Sequence, residues 1–242
     1  MAVIWLDSLQ STNTYMRAHA DEYVHGDVLV VREQTAGRGQ RGNSWEAEPG
    51  RNLTFSMMLC PRAIRPADAF LLSMLTALSI ADSVSSAIGA EARVKWPNDI
   101  YVGDRKIAGI LIENSFSGAL YERAVLGVGL NVNQTHFVSD APNPVSMAQI
   151  VGREFDLDDV LGTVTDTIAA DLAAFNPASD VASLVERYND RLWRRTGIHP
   201  WHDNLTGEDI LAAIDRVEPS GHLVLATEPP RRYVFKEVAA VL

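Results

Sequence analysis

The chain has 242 residues, 47% of them hydrophobic, and a formal net charge of −10 at pH 7. This length suits one large domain, or a large domain with a small one, around a hydrophobic core. The acidic balance argues against nonspecific binding to nucleic acid or to a membrane surface, because both need a basic field.

The sequence contains no recognisable targeting segment. Residues 1–30 lack the basic start and apolar centre of a signal peptide, and no uninterrupted run of 18 apolar residues occurs. A single cysteine, Cys60, excludes a disulfide framework and fits a reducing compartment. We therefore expect a cytoplasmic protein without a transmembrane helix.

Polar residues follow the first predicted strand, at residues 3–6. Ser11, Thr12 and Asn13 precede a predicted helix, and Ser11 is suited to cap its first turn. Capping alone would explain these residues. Alternatively, the hydroxyl groups and the helix N-terminus also bind a polar ligand, and the sequence leaves both interpretations open.

A long loop between predicted strands at 28–31 and 53–59 is the stretch around which we expect the site to form. It contains four glycines, which let backbone N–H groups approach a ligand or surround an anion. Arg38 and Arg41 add guanidinium groups that suit carboxylate and phosphate. Trp45 offers a flat face on which a base could stack. Loops of this length are often functional.

The loop also matches the glycine spacing of a dinucleotide fingerprint, at Gly37, Gly39 and Gly42. That fingerprint must open a helix and be followed about 20 residues later by an acidic residue. Neither condition is met, and no P-loop motif occurs in the chain. The sequence therefore argues against a Rossmann domain and a P-loop domain.

The apolar spacing at residues 66–88 predicts a core helix that Gly89 ends. Beyond it, a strand ends at Lys95, a turn contains Asp99, and the next strand begins near Lys106. Each charge alone is ordinary for a turn. Together they flank one sheet edge, which favours a site for phosphate and metal.

Two glycines interrupt the strand predicted at residues 120–133. Gly127 and Gly129 indicate a bulge or the close approach of a ligand to the backbone. Helices are predicted at residues 146–151, 158–175 and 179–193.

The composition then changes to short β segments, predicted at 210–214, 223–226 and 233–235, separated by glycine and proline. This pattern predicts a small β-barrel. We therefore expect two domains, at 1–195 and 196–242.

With these motifs in place, the sequence closely resembles the biotin protein ligases over nearly its whole length. The resemblance rests on six segments in the family's order, namely 11–13, 34–45, 49–53, 95–99, 106–111 and 127–131. It implies an α+β fold, with a mixed sheet and packed helices in the catalytic domain and an SH3-like β-barrel at the C-terminus.

The resemblance also implies the reaction. Family members make biotinyl-5′-AMP from biotin and ATP with Mg²⁺, then transfer the biotinyl group to a lysine of a biotin carboxyl carrier protein domain. It implies no nucleic-acid or membrane partner for a chain that starts directly at the catalytic domain, without the family repressors' DNA-binding module. A monomer and a homodimer both remain open.

The site residues are carried over by motif. Biotin would be bound by Ser11, Thr12, Asn13, Gln34, Gly37, Arg38, Gly39, Gln40, Lys106, Gly109 and Gly127. ATP and the adenylate would be contacted by Arg38, Asn43, Trp45, Lys95, Asn98, Asp99 and Asn131. Lys106 and Arg38 would be catalytic, and Asp99 would be the metal contact. Because two anions must meet in this reaction, the site has to supply positive charge.

One departure from the family is visible at Gln40, where well-studied members carry an arginine that helps to retain the adenylate. Retention here would depend more on neighbouring groups, or be weaker. Two other functions fit the same fold. They are a lipoate ligase, although the His-Asp pair of that group is missing, and a biotin-sensing regulator without catalytic activity.

Overall fold

A seven-stranded mixed sheet dominates the computed structural model, which describes residues 1–39, 44–138 and 143–241. Its strands are β1 (Val3–Leu9), β2 (Val28–Gln34), β3 (Leu53–Leu59), β4 (Ala92–Lys95), β5 (Asp99–Val102), β6 (Arg105–Ser117) and β7 (Leu120–Leu130). Their order across the sheet is β1-β2-β3-β7-β6-β5-β4. Strands β1 and β2 run parallel, and every other neighbouring pair is antiparallel.

Helix α1 (Thr12–Ala18) connects the two parallel strands and lies on one face of the sheet. The Ser11 hydroxyl accepts a hydrogen bond from the Thr14 N–H at 3.4 Å, so the predicted helix cap is confirmed. Thr12 and Asn13 are buried. The first turn of α1 therefore holds two polar side chains against the sheet.

Helix α2 (Phe70–Ile88) packs against the opposite face and forms the centre of the main core. The predicted helix is confirmed, except that residues Pro66–Asp68 form a separate 3-10 turn. Gly89 ends α2 with a φ of 65°. Three more helices follow, α3 (Met147–Val151), α4 (Leu157–Ala174) and α5 (Val181–Asp190), and α4 and α5 pack on α2.

By length and composition alone, α2 could cross a membrane, with a mean hydropathy of 1.5. The expectation that no helix spans a membrane rested on the absence of an uninterrupted apolar run, and it stays a prediction. Hydroxyl residues interrupt the apolar run of α2, but its mean hydropathy stays high. The hydroxyl groups of Thr76 and Ser79 donate to backbone carbonyls of the helix itself. Because 72% of the segment is buried inside the fold, α2 is accounted for as a core helix.

The C-terminal region contains six short strands, β8 (His199–Asp203), β9 (Glu208–Ala212), β10 (Ile214–Val217), β11 (Leu223–Leu225), β12 (Arg231–Tyr233) and β13 (Val238–Ala240). They form two three-stranded antiparallel sheets, ordered β13-β8-β9 and β10-β11-β12. The predicted fold class is confirmed. Strands β8 and β13 were not predicted, and the domain boundary at residue 195 stays a prediction.

Specific polar contacts dock this C-terminal barrel on the rest of the fold. The buried Asn189 side chain donates to the Val217 carbonyl at 3.0 Å and accepts from the Val217 N–H at 2.6 Å. The Trp96 indole donates to the Gly221 carbonyl at 3.0 Å, and the Phe70 ring lies against Gly221. The barrel is therefore held in a defined position.

Replacing Asn189 by alanine is expected to lower the free energy of unfolding by about 2 kcal/mol, because both backbone groups of Val217 lose their partner. Chemical denaturation would measure the change. Glu186→Ala provides the control, since Glu186 is exposed on the same helix, and should stay within about 0.5 kcal/mol of the parent. Equal stability of the two variants would show that the Asn189 contacts do not hold the barrel.

Candidate active site

Strand register builds the floor of the site from glycines. Directly paired residues on antiparallel strands point to the same face, so cross-strand partners form lines of side chains. One line is Thr54, Gly129, Gly109 and Asp99, across β3, β7, β6 and β5. The next line is Ser56, Gly127 and Leu111. With glycine at three central positions, these strands present bare backbone below α1.

Two of the chain's own side chains lie directly on that bare backbone. A Cβ atom on Gly129 would overlap the Trp45 ring, with Nε1 only 2.5 Å away. A Cβ atom on Gly127 would lie 2.8 Å from Cγ of Asn13. The groups that approach these glycines are thus the chain's own Trp45 and Asn13, and the close approach of a ligand stays a prediction.

A cavity of about 350 Å³ lies above this floor. From the sheet and helices it is lined by Ser11, Thr12, Asn13, Gln34, Arg38, Gly39, Ser44, Trp45, Thr54, Phe55, Lys95, Trp96, Pro97, Asn98, Asp99, Lys106, Gly109, Ile110, Leu111, Gly127, Val128, Gly129 and Trp193. From the C-terminal barrel it is lined by Trp201, Asn204, Ile214, Phe235, Lys236, Val238, Ala239 and Ala240. The barrel is therefore one wall of the cavity.

The described lining is basic although the whole chain is acidic. Four basic side chains, Arg38, Lys95, Lys106 and Lys236, face one acidic side chain, Asp99. The formal charge of the chain is −10. A concave site with this local excess of positive charge concentrates anions.

Lys106 stands at the centre of the charged part. Its Nζ lies 2.7 Å from Oδ1 of Asp99 and 5.4 Å from the centroid of the Trp45 ring. Its backbone is held on both sides, because its N–H donates to Asn143 and its carbonyl accepts from Val145. The ammonium is thus positioned in the cavity with one carboxylate neighbour.

Lys95 also lines the cavity, but its ammonium is already hydrogen-bonded to the side chain of Tyr101. Nζ donates to the Tyr101 hydroxyl at 3.0 Å and lies 5.5 Å from the centroid of the Trp193 ring. Burial lowers the pKa of Lys95, although the Asp99 carboxylate opposes the shift. A phosphate that binds Lys95 must therefore compete with Tyr101.

Asn98 serves the strands as well as the cavity. Its side-chain amide donates to the Ile110 carbonyl, and the Ile110 N–H donates to the Asn98 carbonyl at 3.0 Å. The predicted contact of Asn98 with phosphate would therefore have to come from an amide that already has a partner.

A contact between Gly37 and Trp45 joins the two ends of the glycine-rich part of the central loop. The Trp45 N–H donates to the Gly37 carbonyl at 3.0 Å, and a Cβ atom on Gly37 would overlap the Trp45 carbonyl. Arg38 donates to the Thr14 hydroxyl at 3.1 Å and lies 3.7 Å from Glu113. Gln40 and Asn43, both predicted to bind ligand, lie outside the described residues.

Most of the predicted residues come together in this cavity. Those that line it are Ser11, Thr12, Asn13, Gln34, Arg38, Gly39, Trp45, Lys95, Asn98, Asp99, Lys106, Gly109 and Gly127. Gly37 and Asn131 do not line it. The amide of Asn131 donates to the Val145 carbonyl at 3.1 Å. The binding roles of the whole set stay predictions.

Two buried polar atoms have no hydrogen-bond partner in the described part of the chain, Nε1 of Trp45 and Oδ1 of Asn131. Buried polar groups in native proteins are nearly always hydrogen-bonded. One unmatched donor and one unmatched acceptor thus lie on the predicted adenylate contacts, but Nε1 of Trp45 lies against Gly129 and Asn131 does not line the cavity.

The sequence did not identify several residues of the site. Ser56 bonds to both Thr12 and Asn13, and Glu113 accepts from Asn13 and Arg17. A signal for Ser56 was present, because Thr54 and Ser56 place polar groups on one face of an otherwise apolar strand. The barrel residues of the wall carried no such signal, since the first of them, Trp201, lies 70 residues beyond the last motif, which ends at residue 131.

A mixed sheet with a basic, glycine-floored cavity defines a protein suited to bind an anionic ligand, and comparison with known proteins identifies the family. The model of the biotin/lipoate A/B protein ligase family matches residues 5–131, just over half of the chain. The biotin–[acetyl-CoA-carboxylase] ligase of Paracoccus denitrificans is 31% identical over 209 residues, covering 81% of this chain and 86% of that protein. The chain belongs to the biotin/lipoate A/B protein ligase family.

Other relatives match over a shorter part of their length. The bifunctional ligase/repressor BirA of Escherichia coli is 37% identical over 131 residues, covering 54% of this chain and 40% of that protein. The chain thus spans less than half of that relative. Biotin protein ligase from Aquifex aeolicus, solved in complex with biotin and ATP, matches with a TM-score of 0.82 at 23% identity over 99% of both chains. The fold is shared over its full extent.

Proposed function

We propose that this protein is a biotin–protein ligase that activates biotin with ATP and attaches it to a carrier protein. The observation that carries the proposal is the convergence of thirteen motif residues on one basic cavity. Relatives named as biotin–[acetyl-CoA-carboxylase] ligases, from Paracoccus denitrificans and Mycobacterium tuberculosis, support the same substrates.

In the first step, a carboxylate oxygen of biotin attacks the α-phosphorus of ATP. The new bond gives biotinyl-5′-AMP, and the bond to pyrophosphate breaks. The reaction joins two anions, so the barrier depends on positioning and on positive charge where negative charge concentrates. Lys106 and Arg38 supply that charge, with Lys106 exchanging its contact with Asp99 for ligand oxygens.

The adenylate then lies against the central loop and the glycine floor. Its predicted protein contacts include Trp45 and Asn131, which each carry one unmatched polar atom. In the second step the carrier lysine amine attacks the acyl carbon and AMP leaves. No covalent bond to the protein is needed.

Magnesium fits this site as a companion of ATP. The described residues contain no cluster of three or more metal-ligating side chains. Asp99 is the one carboxylate of the described lining, and Mg²⁺ in nucleotide sites is usually held by one or two carboxylates together with phosphates. The ion would neutralise phosphate charge, while Asp99 would help to hold it.

The remaining parts of the proposal concern partners and place. The carrier is a biotin carboxyl carrier protein domain, and neither nucleic acid nor membrane is a partner. The acidic net charge supports that exclusion. The protein acts in the cytoplasm, as a monomer or a homodimer.

The proposal is tested by incubating the chain with Mg-ATP and either biotin or lipoate and measuring pyrophosphate release. A biotin carrier domain is then added and its mass measured. Biotin-dependent release and a carrier carrying one biotinyl group are expected. Release with lipoate instead would make it a lipoate ligase. Biotin binding without pyrophosphate release would make it a sensor.

A further inference from the structure

A buried chain of hydrogen bonds links α1 to the sheet beneath the cavity. The Asn13 Nδ2 group donates to the Leu111 carbonyl at 3.2 Å and to Oε2 of Glu113 at 3.1 Å. A backbone carbonyl can only accept, so the orientation of the Asn13 amide is fixed. Its Oδ1 atom must therefore act as an acceptor toward the next group in the chain.

That next group is Ser56, whose side chain is fully buried. Its Oγ lies 2.6 Å from Oδ1 of Asn13 and 2.8 Å from Oγ1 of Thr12. A serine hydroxyl has one proton, and Oδ1 has none. The Ser56 proton must therefore lie in the contact with Asn13, because two oxygens 2.6 Å apart without a proton repel each other.

The same argument then fixes the proton of Thr12. The contact between Thr12 and Ser56 also needs a proton, and Thr12 has to supply it. The alternative partner of that proton is Oε1 of Gln34 at 3.3 Å, which already accepts from the Thr12 N–H at 2.9 Å. The hydroxyl of Thr12 is thus committed to Ser56, and only its lone pairs remain for a ligand in the cavity.

We infer that Ser56 is a positioning residue that makes Thr12 a hydrogen-bond acceptor only, so that the site selects a ligand with a ring N–H at this position. The inference rests on the proposed function, since the cyclic urea of biotin offers N–H groups of this kind. Ser56 does not line the cavity and acts through Thr12.

The first test uses the unaltered protein. Calorimetric binding of biotin is compared with binding of two cyclic carbamates, each with oxygen in place of one of the two ring N–H groups. One carbamate should bind roughly 10- to 100-fold more weakly, because its ring oxygen meets the lone pairs of Thr12. Binding of both within about threefold of biotin would overturn the inference.

The second test uses Ser56→Ala, which releases the Thr12 proton to turn toward the ligand. Biotin should bind several-fold more weakly, and the preference for biotin over the affected carbamate should shrink about tenfold. A purely structural role would weaken both ligands equally. Ser83→Ala is the matched control, because Ser83 is also buried but donates to the Ser79 carbonyl within α2.

The outcomes separate the two proposals. A chain that binds biotin with an unchanged preference in Ser56→Ala overturns the role of Ser56 and leaves the ligase proposal standing. A chain that binds no biotin overturns both. If Ser56→Ala does not fold, the carbamate comparison on the unaltered protein decides.

Discussion

Replacing Lys106 by alanine is expected to lower the rate of adenylate formation at least about a hundredfold, while the chain stays folded. The ammonium lies in the cavity 2.7 Å from Asp99, on a backbone held by Asn143 and Val145. The substitution removes positive charge where biotin and ATP must meet and leaves the Asp99 carboxylate there unpaired. Both changes oppose the approach of two anions.

Pyrophosphate release at saturating biotin and ATP measures the effect, and thermal melting checks the fold. Both side chains of the Lys106–Asp99 pair are 23% exposed, and an ion pair that solvent still reaches contributes about 1 kcal/mol or less, so melting should hardly change. Transfer from preformed biotinyl-5′-AMP should suffer less, because the two anions are already joined. Arg105→Ala, an exposed neighbour on β6, is the control. Adenylation within a few-fold of the parent would show that Lys106 does not have this role.

Replacing Gly129 by alanine is expected to weaken binding of the adenylate about a hundredfold. The added methyl group would overlap the Trp45 ring. Strand β7 cannot move away, because β3 and β6 pair with it on both sides. The Trp45 indole must therefore move away from the glycine floor, and its unmatched Nε1 atom moves with it.

Calorimetry with a non-hydrolysable biotinyl-adenylate measures this loss. Gly162→Ala is the matched control, since Gly162 lies in α4 with nothing within 4 Å of an added Cβ atom. That variant should bind normally and gain up to about 1 kcal/mol of stability from better helix propensity. Normal adenylate binding by Gly129→Ala would show that the position of Trp45 on the floor is unimportant.

Hydrophobic pattern predicted the main elements because local signals and tertiary packing agree there. The buried runs of β2 and β3 and the apolar face of α2 all appear where expected. The pattern failed at β8 and β13. Strand β8 contains two histidines, a proline and an aspartate, and β13 has only three residues, so neither has the sequence pattern of a strand. Both strands form because they pair with each other.

The site was predictable where its residues sit in compact motifs, such as the segment from Lys95 to Asp99. It was not predictable where a distant partner decides what a side chain does. Lys95 is an example, since its ammonium is bonded to Tyr101 and lies near Trp193, which comes from the end of the helical region. Strand register also had to be known before Gly109, Gly127 and Gly129 could form one floor.

Because the C-terminal barrel forms one wall of the cavity, the cavity is completed only when the last part of the chain has been made. The cavity begins with Ser11 in the first helix and closes with residues up to Ala240. A ribosome makes chain at about 5–20 residues per second, N-terminal part first, so the sheet and its glycine floor exist for several seconds before the wall. A ligand stabilises only the form that it binds. Substrate can therefore support the fold only after translation has reached the barrel, and the growing chain must reach its core without that help.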